Sequence, residues 1–145
     1  MTTASPFRAP MTFMGVPSAD APGDARAVIL GIPFDCGNHP HRVGSRLGPF
    51  AIREQSQLLR PWDGESGINP LQSLGLRDLG DVDVVSGDIE HSYAVTEAAM
   101  DIALSGQALP VAFGGDGAIA LPQMRSLARR YPDLCVLHID AHTDA

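Results

Sequence analysis

Asp140, His142 and Asp144 alternate in the segment Leu137-His138-Ile139-Asp140-Ala141-His142-Thr143-Asp144-Ala145. Two carboxylates and an imidazole at spacing two can converge on one divalent cation if the backbone turns just past a strand. Oxygen donors with one nitrogen suit manganese, and also zinc, nickel or iron(II). The alternative is three polar residues closing off a strand. Carboxylates that near each other repel, and a cation is the simplest relief. His138 lies inside the apolar run from Leu134 to Ile139. It reads as a hydrogen-bonded core histidine or as one that orients a ligand carboxylate.

Two further stretches carry polar residues among glycines. Gly114-Gly115-Asp116-Gly117 follows an apolar run and precedes an amphipathic one. Such a turn can cradle a phosphate at a helix start, but it lacks the lysine of a phosphate loop and the spacing of a dinucleotide fingerprint. A tight turn built on left-handed glycines is the simpler reading. The loop from Gly37 to Pro49 holds Asn38, His39, His41 and Arg42, which read as partly exposed loop residues or as ligands. Arg46 and Arg53 are expected to tie this region to acidic neighbours such as Asp35. Asp81 and Asp83 read as solvated or turn-capping residues.

The elements that must position these groups follow from periodicity. Residues 1–26 are rich in Pro, Ala, Gly and Thr and form an N-terminal arm, which Phe7, Met11, Phe13 and Met14 can dock. Residues 27–145 form the body. Ala27 to Ile32 is a continuous apolar strand of the kind buried on both faces of a parallel sheet. Pro49 to Leu59 is a helix, and a short strand surrounds Leu79 to Val82. Ile89 to Leu104 has apolar residues at helical spacing, with Ser86 or Asp88 to cap it and Gly106 to end it. Leu109 to Phe113 is a strand, and Leu121 to Arg130 a helix that tolerates Pro122 in its first turn. Leu134 to Ile139 is the last strand. Strands alternating with helices predict an α/β protein with a mainly parallel sheet and helices on both faces. In such a sheet the loops beyond the carboxyl ends of the strands form the functional rim. The loops at 33–47, 114–117 and 140–144 all leave that rim.

Composition narrows the partners. A chain of 145 residues with 44% hydrophobic and 19% charged residues fits one soluble domain. A net charge of −7 leaves no basic stripe for nucleic acid. No apolar run spans a membrane, and no basic segment followed by an apolar one opens the chain. Two cysteines, Cys36 and Cys135, are too few for a disulfide scaffold and point to a reducing, cytoplasmic setting. Cys135 is expected to be a buried small hydrophobe.

Several segments together resemble the ureohydrolase family of arginases, agmatinases and guanidinobutyrases. They are Gly31-Ile32-Pro33-Phe34-Asp35 with Arg46-Leu47-Gly48-Pro49-Phe50-Ala51-Ile52-Arg53, then Phe113-Gly114-Gly115-Asp116, then His138-Ile139-Asp140-Ala141-His142-Thr143-Asp144. Asp78-Leu79-Gly80-Asp81-Val82 looks like the family's short strand before the middle helix. The resemblance runs from about Ala27 onward and is nearest to the agmatinase branch. It implies a three-layer α/β/α fold, truncated here to its N-terminal half, and a binuclear manganese site, with nickel as an alternative metal. It implies that Asp140 bridges the metals, that His142 holds one and Asp144 the other, and that His138 and Asp116 support them. The reaction implied is attack of hydroxide on a guanidinium carbon, giving urea and an amine, with Asp144 passing a proton to the leaving nitrogen. The substrate implied is a small cationic guanidino compound, met in the Asn38, His39, His41, Arg42 loop, and the assembly implied is a homo- or hetero-oligomer.

Two features depart from that pattern. The family places a histidine ligand directly after Gly-Gly-Asp, where this chain has Gly117. The family's later Ser-x-Asp-x-Asp segment and its downstream acidic residue are absent from the sequence. Two readings follow. One is a hydrolase that needs a further C-terminal half. The other is a non-catalytic subunit with a degraded metal site, supporting an active paralogue in a mixed oligomer. The loop from Gly37 to Arg46 is also one residue longer than the agmatinase pattern, which bears on substrate choice.

Overall fold

The computed structural model describes residues 10–35 and 43–142. Strand β1 (Ala27–Ile32) is the centre of a three-stranded sheet. It pairs in parallel with β2 (Arg77–Asp81) on one edge and β3 (Leu109–Gly114) on the other. Every residue of β1 is buried. Val28, Leu30 and Ile32 face one core, and Ala27 and Ile29 face a second. A strand with two buried faces needs no polar alternation, which is why it reads as an unbroken apolar run.

Helices α3 (Ile89–Ala103) and α4 (Ala120–Arg130) supply the first face. Met100, Ala103 and Leu104 pack with Val28 and Leu30, and Tyr93 tilts against Phe34 at a 5.8 Å ring separation. Asp88 caps α3 by accepting the His91 N–H at 2.9 Å. Arg129 bridges from α4 to Glu97 and Asp101 on α3. The second face is covered by α1 (Gly48–Ser56), the short α2 (Pro70–Leu74) and the segment around Phe13–Val16. These three layers are the expected α/β/α arrangement. Helix α2 had no counterpart in the periodicity; Asn69 starts it by accepting the Leu71 and Gln72 N–H groups, and left-handed Gly75 ends it.

Residues 12–19 are fastened rather than loose. Phe13 packs against Phe113 in a tilted arrangement with ring centroids 5.3 Å apart. The Phe13 N–H donates to Asp78 at 2.9 Å, the Asp78 N–H to the Pro17 carbonyl and the Ala19 N–H to the Asp78 carbonyl. Asp78 also takes two hydrogen bonds of 2.8 Å from Arg53 and one of 2.9 Å from the Gly80 N–H. Arg53 further pairs with Asp81. Arg53 therefore ties α1 to β2, not to Asp35, and Asp81 is solvated as expected while also pairing with Arg53. Gly31 is glycine because a Cβ there would collide with the Asp81 carboxylate.

Burial alone would push the Asp78 carboxyl up; the Arg53 guanidinium and the N–H groups of Phe13 and Gly80 outweigh it and hold it below the usual carboxylate range. A carboxyl with a lowered folded pKa binds fewer protons folded than unfolded, so its stabilisation is present above the unfolded pKa and lost as pH falls. We expect the urea midpoint, followed by circular dichroism, to hold from neutral pH to about 5 and to drop steeply below about 4. A midpoint unchanged through that acid range would contradict an ionised Asp78.

The expected last strand is not present. Residues 134–139 do not form a strand, and Leu137 and Ile139 are 85% and 87% exposed. Cys135 is likewise exposed rather than buried. An apolar run of this kind becomes a strand only with ladder partners and covering layers, and no described strand forms a ladder with it.

Candidate active site

The carboxyl ends of β1 and β3 are joined by backbone. The Gly115 N–H donates to Ile32 at 3.0 Å and the Asp116 N–H to Phe34 at 2.8 Å. A Cβ at Gly115 would overlap the Phe34 carbonyl oxygen. Gly114 and Gly115 are absent from the positive-φ residues, so close approach, not a left-handed turn, requires glycine at 115. This corrects the tight-turn expectation. Asp116 is buried, and its carboxylate accepts the Ala118 N–H at 3.0 Å, starting the 3-10 turn Gly117–Ile119 that leads into α4. Gly117 itself is exposed and has no left-handed backbone.

On the β1 side of this rim, Asp35 is buried and forms a clasp. It accepts the Gly44 N–H at 2.8 Å and Arg46 Nε at 2.7 Å, while Arg46 Nη1 donates to Ser86 Oγ at 2.8 Å. The Arg46 guanidinium, above all, holds the Asp35 carboxyl below its usual range against the opposing effect of burial. The expected Arg46–Asp35 tie is therefore present. Asn38, His39, His41 and Arg42, like Cys36, Phe7 and Asp144, lie outside the described residues.

Asp140 gathers both neighbouring histidines. Its carboxylate accepts the His142 N–H at 2.8 Å and stands 3.4 Å from His142 Nδ1 and 3.8 Å from His138 Nε2. The His142 N–H, helped by the two imidazoles, holds the Asp140 carboxyl below its usual range. Asp140 is thus ionised at neutral pH and able to bind a cation. His138 is half exposed on this segment rather than set into a core strand. The His142 side chain is 83% exposed. Among the described residues, no group of three or more His, Cys, Asp or Glu side chains is gathered closely enough to hold an ion. The structure places Asp140 near each histidine pairwise without assembling the three around one point, and separately joins Asp116 to the β1 loop. The oxygen and imidazole donors suit a manganese-class ion in kind.

Sequence reasoning did not single out Asp78 or the Phe34–Gly115 crossing. The signal for the crossing was the adjacent glycine pair; Asp78 and Arg53, 25 positions apart, offered none.

A protein-family model described as the arginase family matches residues 25–145. The mitochondrial guanidino acid hydrolase of Homo sapiens is 34% identical over 133 residues, which is 92% of this chain and 38% of that protein. The proclavaminate amidino hydrolase of Streptomyces clavuligerus superposes with a TM-score of 0.86 at 28% identity, covering 94% of this chain and 46% of that one. The formiminoglutamase of Trypanosoma cruzi, solved with Mn2+, superposes with a TM-score of 0.68 at 28% identity, covering 83% and 40%. The chain spans less than half the length of these relatives. The family match over residues 25–145, with these superpositions, leads to one assignment: this chain belongs to the arginase family.

Proposed function

We propose that the chain contributes the amino-terminal half of a metal-dependent hydrolase that cleaves a guanidino C–N bond to release urea or a related product and an amine. The observation that carries this reading is the ionised Asp140 carboxylate with the His142 imidazole 3.4 Å away. It lies within the stretch matched by the arginase family. The Mn2+ in the related formiminoglutamase structure favours manganese as the metal. In this reading Asp140, His142 and Asp144 hold the metal, and ligands from beyond this stretch complete it. When bound, the metal lowers the pKa of a water so that hydroxide is available near neutral pH.

The chain's own residues do the rest. Asp140 supplies a permanent negative charge. His138, 3.8 Å from it, limits how that carboxylate turns. Asp116 starts the 3-10 turn that leads into α4 and so fixes the rim on which the site is built. Asp144 takes the proton on its way to the leaving nitrogen. The Asp35–Arg46 clasp holds the start of the loop that would meet the substrate. The named substrate of the human relative favours a guanidino acid.

A second reading rests on Gly117. A glycine has no atom with which to coordinate, so a site that needs a side chain there would be weakened, and the chain would act as a non-catalytic partner of an active paralogue. Both readings meet one experiment. The chain is combined with the carboxyl-terminal region of a relative, supplied with Mn2+, and assayed for urea from 4-guanidinobutyrate and from agmatine. Urea release that disappears with Asp140→Ala supports the hydrolase. No release from the combination, with release restored by an added intact paralogue, supports the partner role.

A further inference from the structure

A cavity of about 450 Å³ opens between residues 14–17, α2 and the start of β2. Its floor is Val16 and Leu76, both buried, with Met14 and Leu71 on its walls. Asp24 and Arg77 stand on its rim, joined to each other as an ion pair. Asp24 precedes β1 and Arg77 opens β2, so the cavity lies at the amino ends of the strands. Asp35 and Asp116 lie beyond the carboxyl ends, so the proposed hydrolytic site does not use this cavity.

Its chemistry is specific. An apolar floor beside one cation and one anion leaves few fitting ligands. An aliphatic carboxylate would suit Arg77 and be repelled by Asp24. An aliphatic amine would suit Asp24 and be repelled by Arg77. A molecule carrying both charges on one carbon, with an apolar branch, satisfies all three surfaces. The Asp24–Arg77 pair does not prevent this. The Asp24 side chain is 90% exposed, and an ion pair so open to water is weak. The Arg77 fork has donors beyond the one it gives Asp24. The volume falls in the range of small-molecule sites, roughly 300–1,000 Å³. Met14 also has a backbone φ of 49°, the one positive value outside glycine among the described residues. Its N–H is fixed by Ser56 Oγ at 2.8 Å, and backbone strain of this kind concentrates at ligand sites.

We propose that this cavity binds a free α-amino acid with an aliphatic side chain of about leucine size. The carboxylate lies on the Arg77 guanidinium, the ammonium on the Asp24 carboxylate and the side chain on Val16, Leu76, Met14 and Leu71. Such a ligand bridges the 14–17 segment and the start of β2, two parts already linked through Asp78.

The test is calorimetric titration of the full chain with L-leucine, isovalerate, isopentylamine and glycine. L-leucine is expected to bind saturably and at least about 10-fold more tightly than each of the other three, a gap of about 1.4 kcal/mol. Arg77→Gln and Asp24→Asn are each expected to weaken it about 10-fold while leaving circular dichroism unchanged. Absence of saturable heat, equal binding of isovalerate, or indifference to both substitutions would overturn the site. If either variant loses its fold, the amide shifts of Val16 and Leu76 in the unaltered chain decide. Leucine-dependent shifts there support the proposal, and shifts confined elsewhere overturn it.

Discussion

Asp78→Ala is expected to destabilise the chain by about 3–5 kcal/mol, because it strips a buried guanidinium of its buried counter-charge and leaves it only the exposed carboxylate of Asp81. Arg53 is 5% exposed and Asp78 0%, so water cannot replace the lost partner. The same substitution orphans the N–H groups of Phe13 and Gly80, which donate to this carboxylate. An unsatisfied buried donor costs about 1–3 kcal/mol. Small domains are stable by about 5–15 kcal/mol, so this one change approaches the whole margin. Denaturant titration read by circular dichroism measures it. Replacing both partners, with Arg53→Met and Asp78→Leu, should recover part of the loss by removing the unpaired charge. It should not recover all of it, because the two N–H groups stay unpaired. A cost below about 1 kcal/mol for Asp78→Ala would show the pair to be loosely hydrated, as surface pairs are.

Gly117→His is expected to raise metal retention at least about 10-fold, the lower end of what even an outlying metal-site partner is worth. The backbone admits the change. Gly117 is exposed, opens a 3-10 turn and has no left-handed φ. The Asp116 carboxylate continues to accept the Ala118 N–H, so the cap of this 3-10 turn is kept. Manganese retained after dialysis against a mild chelator gives the readout. An unchanged metal content would show that position 117 does not limit the site, and the degraded-site reading would lose its basis.

Elements whose determinants are local were legible in the sequence. β1 announces itself as six apolar residues, and its two-sided burial is why they do not alternate. α3 carries its own cap in Asp88, and Thr96, Met100 and Ala103 of its helical-spacing pattern are buried, although Ile89 is exposed and Ser92 joins the buried face. The Arg46–Asp35 clasp was legible because both partners sit on one loop. The misses were non-local. The stretch from Leu134 to Ile139 has the composition of a doubly buried strand, but composition does not supply the neighbours that make one. The reach of Arg53 to Asp78 depends on β1 and β2 lying side by side, and the docking of Phe13 depends on β3 as well. Of the candidate site, the spacing of two places His138 and His142 beside Asp140, but the described residues do not converge as a ligand group, and Asp144 lies outside them. The rim was legible only as three loops; that two of them interlock through Gly115 required the sheet order.

The most direct measurement is the manganese content of the full chain after loading and exhaustive dialysis, compared with that of Asp140→Ala. If Asp140, His142 and Asp144 grip a shared cation, the unaltered chain retains manganese and the variant loses it. A chain that keeps none, or a variant that keeps as much as the original, would contradict the proposed site.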